Sequence, residues 1–465
     1  MCKKIVAAFL LIGVLPLGAF AKDDALVAIT VQQNGRSLVT EQRSLDVPKG
    51  AGTLTLTRLP ASIEPETLQI TSKTSSGGFK VLDATFEEEL LTSSSLLRRH
   101  LGKNVLLRIP DGTTRDGRVQ KTATVLSVDE APLFLIDGGV YSGPYESIVF
   151  PEVPRQLSPA PRLLIGVDNS GPARQDIDLS YLVRELSWNM DYVLSVNKDA
   201  TNGQLSGWAR ITNKTGVDYA NARIELLAGE PRALQQNLMR GGFAAPAMAM
   251  EKSFDAAASE ELFEYHLYTI ARPVTLNNQQ TRQIKFIQTA GFPVTRQLLG
   301  KANALPSGRD DGPTAEPVDA ILSFRNAGEQ GLGQPLPKGT IRVYQADGPR
   351  KHLLGEAPLD RTAAGATAEM KIGKAFDITI ERVPTGYEKT GAHSVRCSWE
   401  IRIRNSKNKP QKLTLQEVIP GKWTIQNASH PYTKKSKSIA EFTITLPPGA
   451  DKDPVLLTYT LATDL

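Results

Sequence analysis

The chain has 465 residues, of which 40% are hydrophobic, and its formal net charge is +5 at pH 7. This length allows roughly two to four domains with buried cores. The small net charge argues against nucleic acid as a partner, because nucleic-acid-binding chains are strongly basic. After the first residues, no apolar run approaches the ~20 residues that a membrane-spanning helix needs.

The first 21 residues have the pattern of a secretory signal peptide. Lys3 and Lys4 precede an apolar run over residues 5–17, and small residues follow at 19 and 21. This pattern predicts cleavage after Ala21. A membrane anchor is the less favoured alternative, because the run is short and contains a proline. We therefore expect an exported protein, periplasmic or secreted, that is soluble after cleavage.

Short alternating runs of β-branched and apolar residues, separated by Gly, Pro, Asn and Asp, predict a mostly β, multidomain fold. Residues 22–91 are predicted to form an N-terminal β domain. Within it, Asn34-Gly35 follows an alternating run and predicts a hairpin.

The next segment, residues 92–150, begins differently. A hydroxyl residue at 92, apolar residues at helical spacing and Gly102 predict one short helix. Five strand-like runs follow between residues 104 and 150. So many strands in so short a span predict a small SH3-like barrel.

Residues 151–383 are predicted to form a central β-sandwich domain. Its longest strand-like runs, between residues 162 and 229, carry Trp188, Tyr192 and Trp208. Two segments, residues 235–260 and 301–317, lack strand periodicity and are predicted to be flexible insertions.

Residues 384–465 are predicted to form an immunoglobulin-like β-sandwich. This part is basic, with 12 Lys and Arg against 7 Asp and Glu. Such a basic surface is ordinarily exposed to solvent without a binding role. The functional alternative is peripheral contact with an anionic envelope surface. The candidate contact residues are the clustered lysines Lys407, Lys409, Lys412, Lys434, Lys435 and Lys437.

The sequence predicts no catalytic, metal-binding or cofactor-binding residue, and no cofactor. The five histidines are not at metal-ligand spacing, and nucleophile-elbow, phosphate-loop and dinucleotide motifs are absent from the sequence. Once Cys2 has left with the signal peptide, Cys397 is the one remaining thiol, so no intrachain disulfide is expected. Cys397 alternates with Trp399, Ile401 and Ile403 in a strand-like run, which predicts a buried, inert thiol.

Several ordered motifs resemble a known family. They are LSYL at 179–182, LSW at 186–188, DYV at 191–193, LSGW at 205–208, TNKTG at 212–216 and EYHLYT at 264–269. Together they resemble a bacterial exported domain-of-unknown-function family related to mucoidy-inhibitor-like envelope proteins. The resemblance spans most of residues 160–465 and implies an exported, β-rich, multidomain protein. It transfers no catalytic residues, and this chain lacks the long coiled coil that such envelope proteins often carry.

Two functions remain open at this point. The first is a non-catalytic exported cell-envelope protein that acts as a scaffold or binding module for an envelope protein or polymer. The second is an exported hydrolase that acts on envelope polymer, since catalytic groups can be assembled from distant loops. The sequence leaves the oligomeric state unknown.

Overall fold

A computed structural model describes residues 26–464, with gaps at 76, 88, 112–116, 130, 155–156, 159, 230–257, 263, 307–312, 329–331 and 451. The described residues are mostly β, as expected, with one short helix, α1 (Ser93–Arg99), and a 3-10 turn at Pro65–Thr67. Within these ranges, no helix has both the length and the apolar character needed to cross a membrane. The predicted signal peptide at 1–21 lies outside the described residues and stays a prediction.

Fifteen described strands precede residue 230. In chain order they are β1 (Leu26–Gln32), β2 (Arg36–Asp46), β3 (Gly50–Leu56), β4 (Gln69–Ser72), β5 (Phe79–Glu87), β6 (Asn104–Pro110), β7 (Arg118–Ser127), β8 (Leu133–Ile136), β9 (Gly139–Tyr141), β10 (Ser147–Val149), β11 (Arg162–Asn169), β12 (Arg174–Arg184), β13 (Leu186–Val196), β14 (Asn202–Asn213) and β15 (Tyr219–Ala228).

The described strands after residue 257 continue this series. They are β16 (Ala258–Leu262), β17 (Tyr265–Thr269), β18 (Val274–Leu276), β19 (Gln280–Gln288), β20 (Phe292–Pro293), β21 (Thr295–Asn303), β22 (Thr314–Glu316), β23 (Val318–Arg325), β24 (Gly339–Asp347), β25 (Arg350–Leu359), β26 (Thr367–Lys374), β27 (Ile378–Lys389), β28 (Ser394–Asn405), β29 (Gln411–Val418), β30 (Lys422–Gln426), β31 (Tyr432–Ser436), β32 (Ile439–Leu446) and β33 (Val455–Asp464).

The largest sheet has 14 strands in two arms. One arm has the order β4-β12-β2-β1-β15-β17-β16, and the other has the order β25-β24-β13-β14-β19. The arms meet where β1 pairs with β13, at Gln32 and Ser187. Buried side chains from both arms belong to one hydrophobic core.

Strand periodicity explains how this core is filled. Successive side chains of a strand point to opposite faces, and Trp188, Met190 and Tyr192 of β13 are therefore buried together. The polar ends of the two aromatic side chains are satisfied. The Trp188 indole N–H donates to the carbonyl of Leu227 at 3.1 Å, and the Tyr192 hydroxyl donates to the carbonyl of Pro337 at 2.8 Å.

The segment 92–150 forms a unit with its own small core. Its five strands pair antiparallel in the order β10-β6-β7-β8-β9, which agrees in number with the five predicted strands. The core beneath them is made by Leu97, Val105, Leu107, Ala123, Val125 and Phe134. The segment lies between β5 and β11, which pair with each other in a three-stranded sheet.

The second large core lies between a six-stranded sheet, β26-β23-β21-β29-β32-β31, and a five-stranded sheet, β22-β27-β28-β33-β30. The chain reaches these sheets by an alternating path. It leaves the 14-stranded sheet for β21 and β23, returns to it for β24 and β25, and leaves again for β26. The boundary predicted between residues 383 and 384 lies within β27.

The predicted insertions fall partly on strands. Residues 235–257 lie outside the described residues, and 258–260 belong to β16. In the second segment, 301–303 and 314–316 are strand residues, and 307–312 lie outside the described residues. The flexibility of both segments stays a prediction.

Candidate anion-binding cleft

A cleft of about 440 Å³ lies between the 14-stranded sheet and the six-stranded sheet. Five cationic side chains and one carboxylate line it, together with apolar residues that include Leu354 and Ile372. The charged residues are Lys198, Asp199, Arg296, Lys374, Lys407 and Lys409. Two of the six lysines predicted from the sequence, Lys407 and Lys409, are therefore brought together here.

Lys198 and Asp199 come from the turn between β13 and β14. The Asn197 side chain shapes this turn, because its carbonyl oxygen accepts from the backbone N–H of Thr201 at 2.8 Å and of Asn202 at 3.1 Å. Asparagine is suited to this role, since its short amide can replace backbone partners in a turn. On the other side, the Gln345 amide donates to the carbonyl of Lys198 at 2.6 Å. The turn is thus held by its own Asn197 and by Gln345 of β24.

Lys407 and Lys409 come from the turn between β28 and β29, which a second asparagine shapes. Asn405 is fully buried, and its amide donates to the carbonyls of Lys409 at 3.1 Å and Pro447 at 2.8 Å. Its side-chain oxygen accepts from the backbone N–H of Lys407 at 3.0 Å. Both N–H donors and the oxygen of this amide are thus used, on backbone groups of the turn and of Pro447, and they hold the backbone from which the two lysines extend.

Arg296 lies near the start of β21 and donates to the Gln411 side-chain oxygen at 2.7 Å. A guanidinium has five N–H donors in a planar fork, so most of its donors remain for a ligand. Lys374 ends β26. The cations of the cleft therefore come from four separate parts of the chain.

The charges of the cleft are poorly balanced. Lys409 Nζ is 3.9 Å from Asp199 Oδ1, and Lys407 Nζ is 3.9 Å from Asp377 Oδ2. Both distances exceed a normal hydrogen bond. Among the described residues, neither Lys198 nor Lys374 forms an ion pair with a carboxylate. A concave site lined by one sign of charge concentrates ions of the opposite sign, so this site is suited to an anion.

The other predicted lysines lie elsewhere. Lys412 is exposed on β29 and pairs across to Thr445 of β32. Lys434 and Lys435 are on the edge strand β31: Lys434 Nζ lies 4.4 Å from the centre of the Trp423 ring, and Lys435 Nζ is 2.9 Å from Glu441. Lys437 follows that strand. Lys434 pairs with Ala440 of β32, five residues before Thr445, the partner of Lys412. Lys434 and Lys412 therefore lie about 17 Å apart along β32.

A second cluster of ionisable groups is buried in the C-terminal core. Arg382 donates to Glu316 at 2.6 Å and to Glu417 at 2.5 Å, and its guanidinium lies 4.6 Å from the centre of the Trp399 ring. Burial raises the pKa of Glu417 above its ordinary value, and Arg382 opposes that rise. Arg382 is 2% exposed and Glu417 is 0% exposed. We interpret this buried cluster as structural, because a ligand could not reach these groups.

Cys397 is buried beside this cluster, with Trp399, Ile401 and Ile403, as the alternation predicted. Its thiol and the Trp399 indole N–H both contact the carbonyl of Ala304, at 3.5 and 2.8 Å. Burial raises the pKa of the Cys397 thiol to about 11. The thiolate, which is the reactive form, is therefore scarce at neutral pH.

The described residues contain no group of three or more His, Cys, Asp or Glu side chains that could hold a metal ion. His266 is on β17 and is not among the residues that line the cleft. The sequence could not indicate the cleft as a whole, since its charged residues are separated by up to about two hundred positions. Only the local lysine pair at 407 and 409 was visible as a pattern.

The fold and the cleft define the class: a mostly β, multi-sheet protein with a cationic cleft between two of its sheets. A family model, described as Domain of unknown function (DUF4139), matches residues 177–460, which is more than half of the chain. The chain belongs to this family. No curated protein matches it.

Proposed function

We propose that this protein is an exported, non-catalytic binding module of the cell envelope that holds an anionic envelope component in its cleft. The observation that carries the proposal is the cleft itself, which is lined by five cations and one carboxylate. Three of the cations extend from turns that asparagine side chains hold by hydrogen bonds. The partner is an envelope protein or polymer that presents acidic groups, or an anionic envelope surface that the protein contacts peripherally.

The finer features of the fold and family belong to the same proposal. The resemblance to mucoidy-inhibitor-like envelope proteins supports an envelope location. The order of the sheets supports β-sandwich arrangements for the central and C-terminal parts, the latter immunoglobulin-like, and an SH3-like unit at 92–150. Two sheets that enclose a common core are the usual plan of a β-sandwich.

The hydrolase alternative has less support. Hydrolysis of a polymer needs an acid and a base or nucleophile within reach of one bond. Of the residues lining the cleft, Asp199 is the one carboxylate, and it is solvent-exposed, with Lys409 Nζ 3.9 Å from its Oδ1. A binding role therefore accounts for the cleft better than a hydrolytic role does.

Binding to isolated envelope material tests the proposal. A Lys407→Glu, Lys409→Glu variant should bind at least about tenfold more weakly, since hydrogen bonds to charged groups contribute roughly 1.5–3 kcal/mol each. Lys412→Glu with Lys437→Glu is the matched control: it makes the same change in net charge at exposed lysines outside the cleft. Equal losses for both variants would show a general charge effect and would refute the cleft as the binding site.

Export needs its own test. The protein should be recovered from the exported fraction with Lys22 as its first residue, because Ala19 and Ala21 are the pair of small residues placed after the apolar run. N-terminal sequencing measures this directly. An intact Met1 in that fraction would contradict cleavage, and absence of the protein from the fraction would contradict export.

A further inference from the structure

Phe376 is the most exposed large hydrophobic residue among the described residues, at 93%. It lies in the connection between β26 and β27, two residues after Lys374 of the cleft. Exposure of a phenylalanine ring to water is unfavourable, with a free energy that increases with the exposed apolar area. A single exposed apolar residue is common in soluble proteins, so its position must be considered together with its neighbours.

The Phe376 connection is fixed to the turn that carries the cleft lysines. The backbone N–H of Ser406 donates to the carbonyl of Asp377 at 2.9 Å, and Asp377 Oδ2 is 3.9 Å from Lys407 Nζ. The aromatic ring is therefore attached to the rim of the cleft and does not belong to a distant loop.

A further apolar side chain belongs to the cleft wall. Leu354 of β25 lines the cleft and is 41% exposed, and Leu353 beside it is also exposed. The cleft thus combines cations with exposed apolar side chains. That combination is typical of surfaces that contact the boundary between lipid headgroups and acyl chains.

We propose that Phe376 and the cleft dock together onto an anionic lipid surface, with Phe376 inserted below the headgroups and the cleft cations on the headgroup phosphates. This inference rests on the proposed function and specifies its ligand. A lipid surface satisfies both features, because it presents negative charge and an apolar layer at adjacent depths. A soluble phosphate or an acidic polysaccharide would engage the lysines and leave Phe376 in water.

Flotation with vesicles measures the binding. The full chain should float with vesicles of phosphatidylcholine and phosphatidylglycerol and should not float with phosphatidylcholine alone. Phe376→Ser should weaken binding by about tenfold, from loss of the buried ring. Lys407→Glu with Lys409→Glu should weaken it at least as much. Phe376→Ser replaces one exposed residue by another, so folding should be preserved. The thermal unfolding midpoint of the variant checks this.

Insertion itself is measured with an environment-sensitive dye on a cysteine. Phe376→Cys is labelled in a Cys2→Ser background, where Cys397 is buried and does not compete. Ala364→Cys is the matched control, because Ala364 is exposed in the turn at the opposite end of β26. Anionic vesicles should blue-shift the dye at 376 and leave the dye at 364 unchanged.

The outcomes separate the two proposals. If the chain ignores anionic vesicles but binds envelope material through Lys407 and Lys409, lipid docking is wrong and the proposed function stands. If vesicle binding occurs without a spectral shift at 376, or is undiminished in Phe376→Ser, insertion is refuted. Displacement of envelope binding by inorganic phosphate, in a chain that does not float with anionic vesicles, would point to a free phosphate ligand and would also overturn the lipid inference.

Discussion

At the scale of single residues, Arg382 holds two parts of the C-terminal core together. Its partner Glu316 lies on β22, within a segment expected to be an insertion, and its partner Glu417 lies on β29. A buried ion pair is weak evidence of net stabilisation, because desolvation of the charges offsets their attraction. Removal of one partner is nevertheless costly, since it leaves the other charge buried and unpaired.

Arg382→Met should lower the free energy of unfolding by about 3–5 kcal/mol at neutral pH. Arg382 opposes the rise in the pKa of Glu417, so the folded-state pKa rises further without it. A raised carboxyl pKa gives stability that is complete below the unfolded-state pKa and is lost as pH rises through the folded-state pKa. The loss should therefore grow between about pH 5 and pH 8.

Denaturant unfolding at both pH values measures this effect. Adding Glu417→Gln to Arg382→Met removes the ionisable group and should flatten the pH dependence. If Arg382→Met alone shows the same deficit at both values, Glu417 does not titrate in that window and the assigned cause is incorrect.

At the scale of elements, two turns present four of the six charged residues of the cleft, and an asparagine shapes each turn. Asn197 organises the turn after β13, and Asn405 organises the turn after β28. Asn405 is the more constrained of the two because it is fully buried. Removal of a buried amide leaves its backbone partners without those hydrogen bonds.

Asn405→Ala should destabilise the protein by about 1–3 kcal/mol, because it removes the hydrogen bonds that this buried amide makes to the backbone of Lys407, Lys409 and Pro447. It should also increase amide exchange at 406–409. Asn408→Ala in the same turn is the matched control, since Asn408 is exposed and its loss should change stability by about 0.5 kcal/mol or less. Equal effects of the two substitutions would mean that Asn405 does not shape this turn.

Local patterns in the sequence predicted local structure well. The Asn34-Gly35 turn joins β1 to β2 in an antiparallel hairpin, with Gly35 at a φ of 84°. Thr92 caps α1 by accepting from the backbone N–H of Ser95 at 3.1 Å. Each of these features depends on residues a few positions apart, whose preferences act without the rest of the fold.

Pairings between distant segments were not predictable in the same way. The parallel pairing of β13 with β24 joins residues about 150 positions apart, and no local signal specifies it. The cleft has the same origin, because it forms where that pairing brings the β13–β14 turn near the six-stranded sheet. Sequence reasoning therefore found two cleft lysines and missed Lys198, Arg296 and Lys374.

At the scale of the whole molecule, the segment 92–150 is the part most nearly independent of the rest. Its core residues all come from within it. The chain enters and leaves it at neighbouring points, because the backbone N–H of Leu91 donates to the carbonyl of Ser158 at 2.8 Å. The C-terminal part differs: residues 384–465 lack β21, β23 and β26, which complete one of its two sheets.

Replacing residues 92–150 with a short Gly-Ser linker should leave the remaining chain folded, since the ends to be joined are adjacent and the two larger cores are untouched. A fragment of residues 384–465 should be unfolded, because it exposes the edge of β29 that pairs with β21 and the core surface that Leu298 and Val318 cover. Circular dichroism and the cooperativity of thermal unfolding distinguish these states. A cooperative unfolding transition for the fragment would contradict its dependence on β21 and β23. Loss of the cooperative transition in the chain without residues 92–150 would contradict the independence of that segment.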